Sequence, residues 1–225
     1  MKPFRAKGSK VIRCSGCLLA REYCICQFKK NTHAKAEFWL LMHKEEQYKP
    51  SNTGRLIEMV LPEHSRRFIW ASRTEADPEF LAMLADERYQ PYIIFPDNRP
   101  GYAERVVDIT QVNAQAKIPA FIILDGTWRQ ASRMFRHSLY LQDLPVLGIQ
   151  TERESQYGLR EAPEEGALCT VEVAIELLRQ THQDHAAHML DEFFEVFNRH
   201  YVAARKWVVI PEAGVEVNNA ENTGE

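Results

Sequence analysis

From residue 37 to about residue 206, short apolar runs alternate with amphipathic stretches, the signature of strands followed by helices. Residues 38–42 predict a strand and 55–61 a helix, with a second strand at 68–71. Asp77-Pro78 opens a helix to about residue 88, proline lying in its first turn. Residues 92–95, closed by Pro96, form a third strand. Residues 106–109 are ambiguous, 121–124 read as a central strand, and 146–149 as another short one. Helices follow at about 170–181 and 186–206, the second turning Phe193, Phe194, Phe197 and Tyr201 toward the core. This alternation predicts an α/β fold, a mainly parallel sheet with flanking helices.

The pattern is sharpest at residues 120–130, where an apolar run ends in Leu124-Asp125-Gly126-Thr127-Trp128 and passes straight into a helix. Open α/β sheets place ligands outside the carboxyl ends of their strands, which is where Asp125 falls. Thr127 and Gln130 have the spacing of a capping box, which would free Asp125 from capping; Asp125 as the cap is the competing reading. Trp128, Ala131, Phe135 and Leu139 recur at helical spacing as a packing face, so Trp128 reads as core. Arg129, Arg133 and Arg136 form a stripe on the same helix, either a solvated face or one that meets phosphates.

Composition narrows the class. A chain of 225 residues with 45% hydrophobic content can bury a full core. It carries neither an apolar run of membrane-spanning length nor a secretory signal, so a cytoplasmic protein with no membrane partner is expected. The net charge of -3 hides an asymmetry: residues 1–36 hold nine basic side chains against Glu22 alone, a balance of +8 that leaves -11 for the rest. Attraction to nucleic acid is therefore expected at the amino-terminal end.

Within that basic segment lie Cys14, Cys17, Cys24 and Cys26. A C-x-x-C knuckle brings two thiolates together and a second pair closes a tetrahedral site, which favours structural zinc. Disulfides are the alternative for paired cysteines, and a reducing compartment argues against them. A closed four-thiolate site organises its segment without activating water, so its role would be to present the basic residues to RNA or DNA. The expected organisation is a zinc-knuckle segment at 1–36, an α/β body at 37–211 and a disordered acidic tail at 212–225.

Neither G-x-G-x-x-G after a strand nor G-x-x-x-x-G-K-[ST] is present, so both common nucleotide fingerprints are missing. The polar connection at 150–168 is long enough to be a lid. His43-Lys44-Glu45 and Asn52-Thr53-Gly54-Arg55 follow the first strand, the latter readable as a helix cap or as a ligand contact.

Taken in order, the cysteine cluster, His43-x-Glu45, Asn52-Thr53-Gly54-Arg55, Phe95-Pro96, Leu124-Asp125-Gly126-Thr127-Trp128, Ser155-x-Tyr157-x-Leu159-Arg160 and Leu168-x-Thr170-x-Glu172 resemble the DTW-domain family. Members of that family are tRNA-uridine aminocarboxypropyltransferases related to the knotted SPOUT RNA methyltransferases. Two positions depart from its pattern: Lys44 stands where relatives often have proline, and Cys169 where serine usually precedes the threonine.

The resemblance implies a SPOUT-like fold with its knot, tRNA as partner and S-adenosylmethionine as group donor. It also implies transfer of the 3-amino-3-carboxypropyl group to N3 of a uridine, in the variable loop for bacterial relatives (acp3U47), with release of methylthioadenosine. Asp125 is then the expected base or proton-orienting group. Phe95, Pro96, Leu124, Gly126, Thr127, Leu168 and Thr170 are expected to line the cofactor site, with Arg55 or Arg160 on the cofactor's carboxylate, since a guanidinium binds carboxylate bidentately. Methyl transfer to RNA and a non-catalytic zinc-knuckle RNA adaptor are the competing functions. The oligomeric state is left open.

Overall fold

The computed structural model describes residues 11–71, 74–97, 100–149 and 168–210. The expectations for a lid, for Arg160 and for an acidic tail fall outside these residues.

Six parallel strands form one sheet in the order β2-β1-β5-β3-β6-β4. They are β1 (Glu37–His43), β2 (Ser65–Trp70), β3 (Tyr89–Ile94), β4 (Val106–Val107), β5 (Ile118–Asp125) and β6 (Val146–Leu147). The helices are α1 (Gly54–Val60), α2 (Pro78–Leu84), α3 (Ile109–Asn113), α4 (Trp128–His137), α5 (Thr170–Gln180) and α6 (Asp184–Lys206). The near-continuous apolar sequences of β1 and β5 follow from their central place, because a strand covered by helices on both faces has no solvent side to supply polar alternation.

Strand alternation then divides the interior in two. Phe38, Leu40, Tyr92, Ile94, Phe121 and Ile123 face α1, α5 and α6, while Trp39, Leu41, Ile93, Ile122 and Leu124 face α2 and α4. The register pairs Phe38 with Phe121 and Leu40 with Ile123, so like faces coincide across β1 and β5. Cys17, Leu19 and Ile25, from the cysteine-bearing segment, are buried in the first of these cores.

Several element ends differ from the periodicity. Strand β2 begins at Ser65, three residues early, because Arg66 and Arg67 are exposed on this edge strand and mask its start as a polar stretch. Helix α2 stops at Leu84: the Asp86 carboxylate accepts from the Arg88 backbone N–H at 3.0 Å, a local turn that competes with helix continuation. Helix α4 stops at His137, and Leu139 lies 57% exposed beyond it, outside the packing face expected for it. Ser138 breaks that helix with extended backbone and, fully buried, accepts from the Trp70 indole N–H at 2.9 Å. The ambiguous stretch at 106–109 divides into the edge strand β4 and the start of α3, capped by Asp108.

Candidate functional site

The carboxyl ends of β1, β5 and β3 lie side by side, Met42 opposite Asp125 and Ile94 opposite Ile123. Asp125 is the last residue of β5 and only 2% exposed. Thr127 caps α4 by accepting from the Gln130 backbone N–H, and the Gln130 side chain accepts from the Thr127 N–H at 2.8 Å. The cap is thus made without Asp125. Its carboxylate instead accepts from Asn52 Nδ2 at 2.7 Å on Oδ2 and from Thr170 Oγ1 at 2.8 Å on Oδ1.

Three segments far apart in sequence therefore meet at one carboxylate: the loop before α1, the end of β5 and the start of α5. Two further bonds secure the junction, Val171 N–H to Thr53 Oγ1 at 3.4 Å and Arg55 N–H to Asn52 Oδ1 at 3.3 Å. Gly54 is required by close approach, since a Cβ there would lie 2.8 Å from Asp125 Oδ2. Gly148, just after β6, meets Asp97, just after β3, so tightly that a Cβ would lie 2.5 Å from that carboxylate.

Of the other residues expected at the site, Phe95 and Leu124 are buried beside Asp125, and Gly126 and Thr127 make the turn into α4. The Phe95 ring stacks on Phe135 at 4.1 Å and on Trp128 at 5.3 Å, so its side chain is packing and what it leaves at the strand end is backbone. The Pro96 carbonyl accepts from the Tyr102 hydroxyl. Leu168 immediately precedes Cys169, whose N–H donates to Glu172 at 2.8 Å at the start of α5. Burial pushes the Cys169 thiol far above its ordinary range, which keeps it protonated and unreactive.

Arg55 is 7% exposed, and its guanidinium donates to the Gln47 carbonyl at 3.0 Å and the Cys17 carbonyl at 3.5 Å. It ties the β1–α1 loop to the cysteine segment. Burial, with Arg67 adding to it, lowers its pKa. Burial likewise raises Glu58, against the pull of Arg67, whose Nε lies 3.4 Å from its carboxylate.

At the end of β1 stands His43, 9% exposed and stacked on Trp70 at 5.7 Å. Burial lowers its pKa, so the ring is neutral at pH 7. Glu45 links this loop to α4, accepting from Gln130 Nε2 at 2.8 Å. The Trp70 contact has no signal in the sequence, because it depends on β2 lying next to β1.

The sulfurs of Cys14, Cys17, Cys24 and Cys26 all lie within 4.8 Å of one another. Cys14 to Cys26 is 3.6 Å and Cys17 to Cys24 is 3.8 Å, far beyond a disulfide's roughly 2.05 Å. Both are close to the edge of about 3.8 Å that a tetrahedron of thiolates around a metal at about 2.3 Å would have. Gly16 lets the knuckle close, as a Cβ there would lie 2.9 Å from Cys26 Sγ.

Burial raises Cys17 to about 11 and Cys26 higher still; at Cys14 burial is outweighed by hydrogen bonds from the Cys17 and Gly16 backbone, giving about 7. Without a cation Cys17 and Cys26 stay protonated, and a bound divalent ion is what would favour four thiolates here. The donor set fits a closed structural metal site.

A family model described as the DTW domain matches residues 11–202. The tRNA-uridine aminocarboxypropyltransferase 2 of Macaca fascicularis is 25% identical to the chain over 165 residues, covering 72% of this chain and 53% of the relative. The chain thus spans about half the length of that curated relative. No solved structure matches it, and no helix among the described residues is long and apolar enough to cross a membrane. With a match across nearly all of its sheet and helices, the chain belongs to the DTW-domain family.

Proposed function

We propose that the chain is a tRNA-uridine aminocarboxypropyltransferase that moves the 3-amino-3-carboxypropyl group of S-adenosylmethionine to N3 of a tRNA uridine, in the variable loop (acp3U47). The observation that carries the reading is the junction at Asp125, where Asn52, Asp125 and Thr170, each from a different family motif, meet at the carboxyl edge of a parallel sheet. A relative named for this activity supports it.

S-adenosylmethionine supplies an electrophilic carbon next to a sulfonium, already a good leaving group. The N3–carbon bond forms as the carbon–sulfur bond breaks, the electron pair stays on sulfur to give methylthioadenosine, and the N3 proton passes to Asp125 or to water that Asp125 orients. The protein's share is alignment and removal of that proton. Asp125 serves as base or proton-orienting group, and its burial beneath two donors favours the orienting role. Backbone at Phe95-Pro96, Leu124 to Gly126 and Leu168 to Thr170, with the Thr127 turn, lines the donor's pocket.

Arg160 is the better candidate for the donor's carboxylate, because the Arg55 guanidinium is engaged by two carbonyls. The cysteine cluster holds zinc and organises the basic segment 1–36 for RNA, serving a body of residues 37–211 in a cytoplasmic enzyme. A SPOUT-like fold belongs to the same reading, and a parallel sheet flanked by helices is what supports it.

Incubating the protein with unmodified tRNA and labelled S-adenosylmethionine tests the reading through its small product. Methylthioadenosine is expected. S-adenosylhomocysteine would reveal a methyltransferase, and no tRNA-dependent product would leave an RNA-binding adaptor.

A further inference from the structure

Among the described elements, helix α4 is the most one-signed. It carries Arg129, Arg133 and Arg136 and no acid, whereas α5 and α6 each carry one more acid than base. All three arginine side chains are exposed, and among the described residues none forms an ion pair. On a chain of net charge -3, attraction to a polyanion has to come from local concentrations of this kind.

The stripe also leads to the site. Helix α4 begins two residues after Asp125's neighbour Gly126, and its first turn is held to the β1 loop by Gln130 and Glu45. The Arg133 guanidinium lies 6.0 Å over the Trp70 ring, which in turn stacks on His43 at the end of β1. Arg136 is steadied by its Nε donating to the Ser132 carbonyl at 3.1 Å. At 1.5 Å per residue the stripe is about 10 Å long, enough to meet more than one phosphate of a strand.

We propose that Arg129, Arg133 and Arg136 form a phosphate track along which the tRNA substrate reaches the Asp125 site; this rests on reading the chain as a tRNA-modifying enzyme. The track lies on the α2/α4 face of the sheet, whereas the cysteine segment with Arg21, Lys29 and Lys30 packs on the α1/α5/α6 side. Arg55 bridges that segment to the β1–α1 loop. RNA held by both basic surfaces straddles the carboxyl rim of the sheet, which places a nucleotide over Asp125.

The test compares the full chain with a triple Arg129→Gln, Arg133→Gln, Arg136→Gln variant and with the corresponding triple lysine variant. Binding of unmodified tRNA is measured over a range of salt, alongside S-adenosylmethionine affinity and thermal stability as controls. The glutamine variant should lose about tenfold or more in tRNA affinity and two to three units of salt slope, while its S-adenosylmethionine affinity is unchanged. The lysine variant should recover most of the loss, and Arg129→Gln alone should remove about one unit of slope.

Wild-type affinity and slope in the glutamine variant would overturn the track, as would an equal loss in the lysine variant, which keeps every charge. A protein that binds tRNA through the stripe yet forms no aminocarboxypropyl product would leave the track standing and remove the enzyme reading. A wild-type chain that binds no tRNA would remove both.

Discussion

Thr170 Oγ1 donates to Asp125 Oδ1 at 2.8 Å, joining the first residue of α5 to the last residue of β5. Forty-five positions separate the two residues, and their contact sets the aspect of a carboxylate that is 2% exposed. Thr170→Val should therefore reduce both stability, by about 1.5–3 kcal/mol for a lost bond to a charged group, and transfer activity. Thr170→Ser, which keeps the hydroxyl, should restore most of each. Denaturant melts and initial rates measured together check this.

Gly54→Ala probes the same junction from the other side. Its Cβ would lie 2.8 Å from Asp125 Oδ2 and 3.3 Å from Asn52 Oδ1, and neither atom can yield without disturbing the Asn52–Asp125 bond. A destabilisation of about 1–3 kcal/mol is expected from this overpacking, with a larger proportional loss of activity than of stability. Chemical denaturation and steady-state kinetics on the variant would show it.

Removing metal from the cysteine cluster should destabilise the body as well as the amino-terminal segment, because Cys17, Leu19 and Ile25 belong to the larger core. The protein as purified should contain one zinc per chain by elemental analysis. A strong chelator or Cys17→Ser should lower the melting temperature of the whole protein. Unchanged melting in the metal-free protein would contradict a structural role.

The strand, turn and helix of residues 118–137 were legible because every determinant is local: an apolar run, then a capping box at Thr127 and Gln130. The cysteine cluster was equally legible, its spacing sufficient to bring four sulfurs together. What the sequence hid is set by strand order. Trp70 reaches His43 only because β2 lies beside β1, and Arg55 turns to the Cys17 and Gln47 carbonyls because the cysteine segment folds over α1. Helix ends at Leu84 and His137 were misplaced because Asp86 and Ser138 make turn or tertiary bonds that periodicity does not register.

Stability should fall as the solution is acidified through the histidine range. Burial lowers the pKa of His43 and of His200, whose Nδ1 lies 3.2 Å from the Tyr23 carbonyl oxygen. Below the unfolded value of about 6.5 the unfolded chain binds more protons than the native one, so the stabilisation present above 6.5 is lost as pH falls toward the folded values. Thermal melts from pH 7.5 to 5.5 should show a falling midpoint, and His200→Gln should flatten part of the decline.

The identity of the transferred group is read from the modified nucleoside. Unmodified tRNA incubated with S-adenosylmethionine and the wild-type protein, then digested to nucleosides and analysed by mass spectrometry, should yield uridine carrying a 3-amino-3-carboxypropyl group on N3. The Asp125→Asn protein, folded by its melting curve, should yield far less. A methylated nucleoside, or unmodified uridine throughout with wild-type protein, would contradict aminocarboxypropyl transfer.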